Sequence, residues 1–202
     1  MDENYLIEEA KQGSLDAFNR LVLVYQTRVF NLAYRILGDE PSAEDTAQTT
    51  FLTAYQKLSS YRGGSFLAWI LRIATNQCYD KLRILKRHPT TPLEPEYDDE
   101  ETMESALWMK DTSAGPEESF DQAELERAIQ KCISALPVEY RTVTVLVDVE
   151  GMDYETAAGV IKTPLGTIKS RLARARLRLR ECLMGVWELL PTSIRLNLEG
   201  TK

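Results

Sequence analysis

The sequence predicts an all-α protein built of two small helical domains that are joined by an acidic, flexible linker. Apolar residues recur at steps of three and four along several segments, which is the period of amphipathic helices. A length of 202 residues allows two small domains. A proline-containing acidic stretch lies between the two groups of helices, where like charges favour a solvated chain over a packed element.

The first predicted domain covers residues 1–88 and contains a bundle of three helices. The first helix, at 14–37, starts at a serine that suits an N-cap and ends before a glycine that can close the last turn in the left-handed conformation. A second helix is predicted at 42–58, and two adjacent glycines separate it from a third that begins near Phe66. On the second helix the residues expected to face inward are Ala43, Ala47, Phe51, Ala54, Tyr55 and Leu58; on the third they are Phe66, Trp69, Ile70, Ile73 and Ala74.

The acidic linker is predicted at residues 89–121. Thirteen acids stand against one base, Lys110, in and just after it. The acids are Glu94, Glu96, Asp98, Asp99, Glu100, Glu101, Glu104, Asp111, Glu117, Glu118, Asp121, Glu124 and Glu126. Such a coil reaches on the order of 30 Å and extends to about 100 Å, so it can separate the two domains widely.

The second predicted domain covers residues 122–190 and contains a helix-turn-helix, followed by a tail at 191–202 without a readable motif. A short helix at 154–161 and a long helix beginning near Pro164 flank a turn made by Lys162 and Thr163. The apolar seam of the long helix consists of Ile168, Leu172, Ala175, Leu179 and Leu183.

Charge is distributed unevenly along the chain, whose net charge is −7. Between residues 162 and 180 there are seven bases and no acid, and between 61 and 88 there are six bases and one acid. Two basic segments around an acidic tether are typical of a protein that touches a polyanion at two places. A basic helix behind a tight turn favours DNA binding, and the alternative is an ordinary solvated helix face.

Cysteine and histidine are too sparse for most catalytic or metal sites. Cys78, Cys132 and Cys182 lie far apart and are odd in number, which favours unpaired structural thiols over disulfides or zinc. His88 is the single histidine. We therefore expect no catalytic residue, no cofactor and no metal. The acidic N-terminus and the lack of about 18 consecutive apolar residues predict a soluble, cytoplasmic protein with no membrane span.

Two stretches carry a family resemblance. Residues 41–83, PSAEDTAQTTFLTAYQKLSSYRGGSFLAWILRIATNQCYDKLR, resemble the second conserved region of extracytoplasmic-function (ECF) sigma factors of the sigma-70 family, in the elements AED..Q..F, Y..L..YRG, F..W...IA.N and D..R. Residues 136–183, with LP..YR, P.GT.KSRL.RAR and a final LR, resemble their fourth region. The resemblance implies a sigma-2 helical bundle, a sigma-4 helix-turn-helix and a factor that directs core RNA polymerase to promoters and promotes their melting.

The resemblance also implies contact residues. The polar face of the second helix is expected to bind the clamp helices of core polymerase through Glu44, Asp45 and Gln48, and the fourth region rests on the polymerase flap. The minus-ten promoter element is expected to contact Tyr61, Arg62, Gly63, Gly64, Ser65 and Asn76. The minus-thirty-five element is expected to contact Thr167, Lys169, Ser170, Arg171, Arg174 and Arg176. An anti-sigma factor is an expected partner by analogy.

This sequence departs from the family pattern at three places. Thr49 stands where the family usually has glutamate, which removes one carboxylate from the polymerase contact. Ala157 replaces an aliphatic residue. Lys162 replaces a frequent glycine in the turn, and its backbone is strained if it adopts a positive φ.

Two rival functions stay open on the sequence. A DNA-binding regulator that never joins polymerase would use the helix-turn-helix but would leave the pattern of residues 41–83 unexplained. A nuclease would need carboxylates clustered around metal ions, whereas the acids here gather in the linker. For the linker itself, a nucleic-acid mimic in a basic polymerase channel and a plain spacer are both open.

Overall fold

A computed structural model describes residues 2–87 and 116–186, with the side chains of 116–123 excepted. Within those ranges the chain forms eight α-helices, short 3₁₀ and π turns, and no β-strand. The predicted all-α class is therefore confirmed. His88, the tail at 191–202 and most of the predicted linker lie outside the described residues.

Helix α1, at Glu3–Lys11, precedes the helices that the sequence predicted. The Asp2 side chain caps it by accepting from the Asn4 amide at 3.2 Å. Its buried residues, Leu6, Ile7 and Ala10, pack against α2. The apolar residues of α1 cover only about a turn and a half of helix in an acidic segment. This pattern was too short for the helix to be predicted from the sequence.

Helix α2, at Leu15–Leu37, agrees with the prediction at both ends. The Ser14 hydroxyl accepts from the Ala17 amide at 3.3 Å, and Gly38 adopts φ 94° as the left-handed C-cap. A side chain at that φ would be strained, so glycine fits the position. The apolar side of α2 is the centre of the bundle, because α1, α3 and α4 all pack on it.

Helix α3, at Glu40–Lys57, begins two residues earlier than predicted because Asp39 caps it, accepting from the Ser42 amide at 2.8 Å. Its buried face consists of small residues, Ala43, Thr46, Thr50 and Ala54. The predicted inward position of Tyr55 is wrong, since 39% of this residue is exposed and its ring lies edge-on against Phe18. Small inner residues allow α3 to approach α2 closely and leave no room for a tyrosine.

Helix α4 spans Phe66–Arg87 and buries Phe66, Ile70 and Ala74 as predicted. Trp69 and Ile73 are only half-buried. Leu71, Thr75 and Cys78 complete the buried side.

The second domain consists of α5 (Pro116–Ser134), α6 (Val138–Thr144) with a π-helical turn at Val145–Val149, α7 (Tyr154–Ile161) and α8 (Leu165–Met184). Helix α7 has the predicted bounds. Pro164, predicted to be the first helical residue, is instead the N-cap, so α8 begins one residue later. Helix α5 starts within the segment predicted as linker.

A disulfide joins Cys132 of α5 to Cys182 of α8, whose Cα atoms are 5.7 Å apart. The prediction of unpaired thiols is wrong for these two residues. They are 50 positions apart in sequence, but α5 and α8 pack side by side and bring their ends together. Cys78 is free and buried.

The two domains pack directly on each other. One apolar cluster continues from Leu32 and Ile36 of the first domain to Ile133, Leu146 and Val160 of the second. Polar contacts surround it. Arg28 donates from Nε to the Glu150 carboxylate and from Nη2 to the Glu150 carbonyl oxygen, both at 2.9 Å.

Two further side chains of the second domain bind the C-terminal end of α2. Arg141 donates to the Ile36 carbonyl oxygen at 2.5 Å, and Gln130 donates to the Tyr34 carbonyl oxygen at 3.2 Å. Burial lowers the pKa of Arg141, but a guanidinium stays charged at any physiological pH. A cation at the carbonyl end of a helix is favourably placed against the helix dipole.

Candidate nucleic-acid interface

One polar face of α8 is formed by residues three and four positions apart. Thr167, Ser170, Arg171 and Arg174 recur at this spacing and therefore share one side of the helix. Ser170 and Arg174 are exposed, and Thr167 and Arg171 are half-buried. The opposite side is fixed in the core by Ile168, Leu172 and Ala175, which are at most 2% exposed. Four of the six predicted minus-thirty-five residues are thus presented together.

Lys169 and Arg176 lie elsewhere on α8. The Arg176 guanidinium donates to both carboxylate oxygens of Asp148, at 2.6 and 3.2 Å. This bonding raises the pKa of Arg176. The side chain therefore ties α8 to the preceding π-helical turn in the free protein.

Helix α7, which leads into the turn before α8, has a defined cap at each end. Asp153 caps α7 by accepting from the Thr156 amide at 2.8 Å, and hydrogen bonds with Thr156 lower the pKa of this carboxyl. Lys162 then ends α7 with φ 52° and ψ 46°, the left-handed conformation. The strain expected for a lysine at a positive φ is therefore present.

The loop between α3 and α4 contains most of the predicted minus-ten residues. Arg62, Gly63, Gly64 and Ser65 are exposed, and both glycines have φ near 90°. Tyr61 differs, because only 5% of it is exposed and its hydroxyl donates to the Gly64 carbonyl oxygen at 2.6 Å. Burial raises the pKa of Tyr61. Tyr61 therefore packs under the loop on its buried side and helps to fix the conformation of the loop.

Asn76 is exposed on α4, with Arg72 one turn before it on the same side. Arg72 was absent from the predicted contact residues, although its spacing of four from Asn76 is a signal that could have indicated it. Lys11, which is also outside the predicted contact residues, places its ammonium 5.4 Å from the centre of the Tyr61 ring. Helix α1, which carries it, was not predicted.

The predicted polymerase residues lie on the outer side of α3. Asp45 and Gln48 are exposed and Glu44 is half-buried. The Lys81 ammonium of α4 donates to the Asp45 carboxylate at 2.8 Å, and 63% of the Asp45 side chain is exposed. The carboxylate is therefore accessible to a partner while it is paired within the chain.

Neither a metal-ligand cluster nor a membrane-spanning helix occurs among the described residues. Across residues 2–87 and 116–186 no three histidine, cysteine, aspartate or glutamate side chains gather closely enough to hold a metal ion. Over the same stretches no helix is both long and apolar enough to cross a membrane.

Comparison with known proteins identifies the family. Residues 21–88 match the sigma-70 region 2 family and residues 126–179 match sigma-70 region 4. The RNA polymerase sigma-H factor of Pseudomonas aeruginosa is 35% identical over 175 residues, which is 86% of this chain and 90% of that protein. The chain belongs to the ECF sigma factors of the sigma-70 family. Sigma factors of this kind direct RNA polymerase to promoters and initiate transcription.

Further relatives of this ECF sigma factor agree in length as well as in sequence. SigW of Bacillus subtilis is 34% identical over 178 residues, covering 88% of this chain and 94% of that protein. The sigma-E factor of Escherichia coli K12 is 34% identical over 179 residues, covering 87% and 91%.

Two solved structures share the fold of this ECF sigma factor. CnrH in complex with the cytosolic domain of CnrY superposes with a TM-score of 0.65, at 23% identity, over 91% of this chain and 97% of that one. The sigma factor RpoE of Bartonella quintana, in complex with the anti-sigma factor NepR, gives a TM-score of 0.62, at 23% identity, over 84% and 98%.

Proposed function

We propose that this sigma factor binds core polymerase through the outer side of α3, captures minus-ten bases with the loop at 61–65 and α4, and reads the minus-thirty-five element with α8. The observation that supports this most directly is the polar face of α8 beside the buried seam that anchors the helix. On this face Ser170 and Arg174 are exposed, and Thr167 and Arg171 are half-buried. Such a helix behind a capped turn has the form of a major-groove reader.

Promoter melting needs no chemistry from the chain under this proposal. Unpairing and unstacking cost a few kcal/mol per base step, and binding of the freed bases offsets that cost. The exposed amide of Asn76 offers both a donor and an acceptor to a base edge that the duplex hides. We therefore propose a factor without catalytic residues or a cofactor, which acts in the cytoplasm where RNA polymerase works.

The domain division proposed from the sequence is retained: a sigma region 2 domain at 1–88, a linker at 89–121, a region 4 domain at 122–190 and a tail at 191–202. The start of α5 at Pro116 bears on the second boundary, because a helix there shortens the stretch free to act as a tether. Contact of the second domain with the polymerase flap belongs to the same proposal.

An anti-sigma factor is the proposed regulatory partner. Of the structures that share this fold, one contains a sigma factor bound to the anti-sigma factor NepR. Binding of this chain to such an inhibitor is testable by co-purification from a strain that carries a tagged copy.

The deciding experiment is run-off transcription with purified core polymerase, combined with Asp45→Arg. We expect wild-type protein to support promoter-specific transcripts and Asp45→Arg to abolish co-purification with core enzyme, since a cation replaces the exposed carboxylate. The stability change should be within about 0.5 kcal/mol, as for most exposed sites. A DNA-binding regulator that never joins polymerase would give no transcript with either protein.

Asp16→Arg is the matched control for this experiment. Asp16 is also an exposed, ion-paired aspartate, with its carboxylate 3.0 Å from Arg20 on α2. The charge change is identical, but the site is away from the outer side of α3. Circular dichroism should be unchanged in both variants. Normal polymerase binding by a folded Asp45→Arg protein would contradict the assignment.

A further inference from the structure

We propose that Cys132 and Cys182 form a reversible, oxidant-responsive thiol pair whose disulfide locks α5 onto the end of the recognition helix α8. The bond joins α5 to the far end of the helix-turn-helix, at a sequence separation of 50 between the two cysteines. The functions known or proposed for the sigma regions do not require a covalent link at this place.

Accessibility assigns different roles to the two sulfurs. Cys182 lies in the last turn of α8 and is half-buried, whereas Cys132 is only 2% exposed. An oxidant in solution therefore meets Cys182 first, and Cys132 is positioned to complete the bond. Two thiols within disulfide distance, one accessible and one sheltered, are the arrangement of a reactive and a resolving cysteine.

With hydrogen peroxide as the oxidant, the reaction proceeds in two displacements. The Cys182 thiolate attacks one peroxide oxygen and the O–O bond breaks, giving a sulfenic acid and a hydroxide, which takes up the proton that the thiol had lost and becomes one water. The Cys132 sulfur then attacks the sulfenic sulfur, so that the S–S bond forms and a second water leaves. In sum, two thiols and one peroxide give one disulfide and two waters. A dithiol such as dithiothreitol reverses the bond by thiol–disulfide exchange and becomes a disulfide itself.

This inference rests on the proposed function in one respect. A factor that works with RNA polymerase in the cytoplasm meets a reducing pool, where a disulfide persists only under oxidising conditions. Formation of the disulfide would then indicate that an oxidant is present.

The position of α5 gives the bond a structural effect. One side of α5 packs on α2, where Gln130 donates to the Tyr34 carbonyl and accepts from Arg35 at 3.0 Å. The other side holds α8 through the disulfide. A bond across a loop of 50 residues restricts the unfolded chain, so the oxidised protein is the more stable form. We expect its Tm to exceed that of the reduced protein by at least about 5 °C.

Cys78 is the internal control. It is fully buried in the first domain, and burial raises the pKa of its thiol to about 12, so its thiolate is scarce at neutral pH. The reduced native protein should therefore show three thiols after denaturation, and the peroxide-treated protein should show one. That one should be Cys78.

The test treats the reduced full-length protein with hydrogen peroxide at neutral pH, maps cross-linked peptides without reduction, and measures Tm before and after dithiothreitol. The expected result is a link between Cys132 and Cys182, a higher Tm and full reversal by dithiothreitol. Cys182→Ser should remove both the link and the gain in Tm, and it changes a half-buried side chain, so the variant should fold. Cys132→Ser repeats the test from the buried partner.

Three outcomes would overturn the proposal. The pair could remain reduced under peroxide while the protein is folded. The link could form with Cys78 in place of either partner. The bond could form without a change in Tm, which would refute the lock between α5 and α8. None of these measurements involves DNA or polymerase, so their failure is distinguishable from failure of the proposed sigma activity.

Discussion

At the scale of single residues, the chain separates side chains that are available to DNA from those already bonded within the protein. Asn76 and Arg174 are exposed and Arg171 is half-buried, whereas Arg176 is held by Asp148 and Tyr61 by the loop above it. All five were predicted as DNA contacts from the sequence, because residue type alone does not reveal an internal partner. This difference leads to two predictions.

Asn76→Ala should impair promoter opening more than closed-complex formation. A base edge that the duplex hides becomes available only after strand separation, so the contact contributes only then. We expect a loss of about 1 to 3 kcal/mol, or roughly a 5- to 150-fold lower open fraction. Permanganate footprinting for opening and filter binding for the closed complex measure the two steps.

A bubble template with the non-template sequence retained tests whether Asn76 reads an unpaired base. The variant should bind this template more weakly and lose discrimination at one position. Equal losses before and after opening, together with a lower Tm, would mean that Asn76 serves the fold only.

Arg174→Ala and Arg176→Ala should separate DNA contact from internal support. Arg174→Ala should weaken binding to a duplex minus-thirty-five element by about 1 to 3 kcal/mol if the side chain meets a base edge, without changing Tm. Arg171→Ala should act similarly. Arg176→Ala removes an ion pair in which the two side chains are 53% and 30% exposed, so we expect a stability loss below about 1 kcal/mol. Its DNA affinity should fall less than that of Arg174→Ala.

Fluorescence anisotropy with duplex DNA and thermal denaturation measure the two effects side by side. Unchanged DNA affinity for both Arg171→Ala and Arg174→Ala would refute the assignment of α8 as the reading helix.

At the scale of elements, capping residues and apolar spacing predicted α2, α7 and the start of α4 well. These helices contain both a strong periodic side and clear end signals, so local sequence determines them. The inner side of α3 was less predictable, because its packing depends on how closely α2 approaches, which is a property of the fold. The disulfide was beyond prediction for the same reason, since it depends on where α5 and α8 end in space.

The turn between α7 and α8 supplies a prediction at this scale. Lys162 adopts φ 52° and is exposed, so its side chain gains nothing from burial while its backbone is strained. Lys162→Gly should stabilise the protein by about 0.5 to 1 kcal/mol, because glycine adopts this conformation without the steric cost. Urea denaturation followed by far-ultraviolet circular dichroism measures the change.

Lys162→Ala is the control, since it removes the charge but keeps the Cβ atom. It should leave stability close to that of the wild type. If Lys162→Ala stabilised the protein as much as Lys162→Gly, the effect would come from the loss of charge. That result would contradict the explanation by backbone strain.

At the scale of the whole molecule, the contact between the two domains was not predicted, because a flexible acidic tether suggested independent units. The charge pattern predicts the tether, but it does not indicate whether or how the two domains pack on each other. The interface combines a continuous apolar cluster with the Arg28–Glu150 ion pair, and the Glu150 side chain is only 5% exposed. Burial raises the pKa of Glu150, and the hydrogen bond from Arg28 counteracts this effect.

The packed arrangement brings the two candidate DNA surfaces close together. Tyr79 lies one turn beyond Asn76 on α4. Burial raises the pKa of Tyr79, and the charge of Arg171 on α8 is near enough to counteract part of this effect. The minus-ten and minus-thirty-five elements are about 25 base pairs apart, or roughly 85 Å of duplex. Under the proposed assignment of the two DNA surfaces, the domains have to separate before one chain can contact both elements.

Arg28→Ala should shift the free protein toward separated domains. The change leaves a buried carboxylate without its cation, which costs about 1 to 3 kcal/mol in the packed arrangement after allowance for the 42% exposure of Arg28. Small-angle scattering should give a larger radius of gyration than for the wild type. Arg83→Ala, in which the lost ion pair with Asp80 lies within α4, should leave the radius unchanged. An unchanged radius for Arg28→Ala would mean that the ion pair does not hold the domains together.

The apolar cluster that continues across both domains also determines how the packing of the two domains on each other depends on temperature. Separating the domains hydrates part of this cluster, and newly hydrated apolar surface raises the heat capacity of the system. The free energy that favours the packed arrangement is consequently a curved function of temperature. It has a maximum at one temperature and declines on either side of it. Cooling weakens the attraction between the apolar surfaces, so a chain chilled well below that maximum holds its two halves together less firmly.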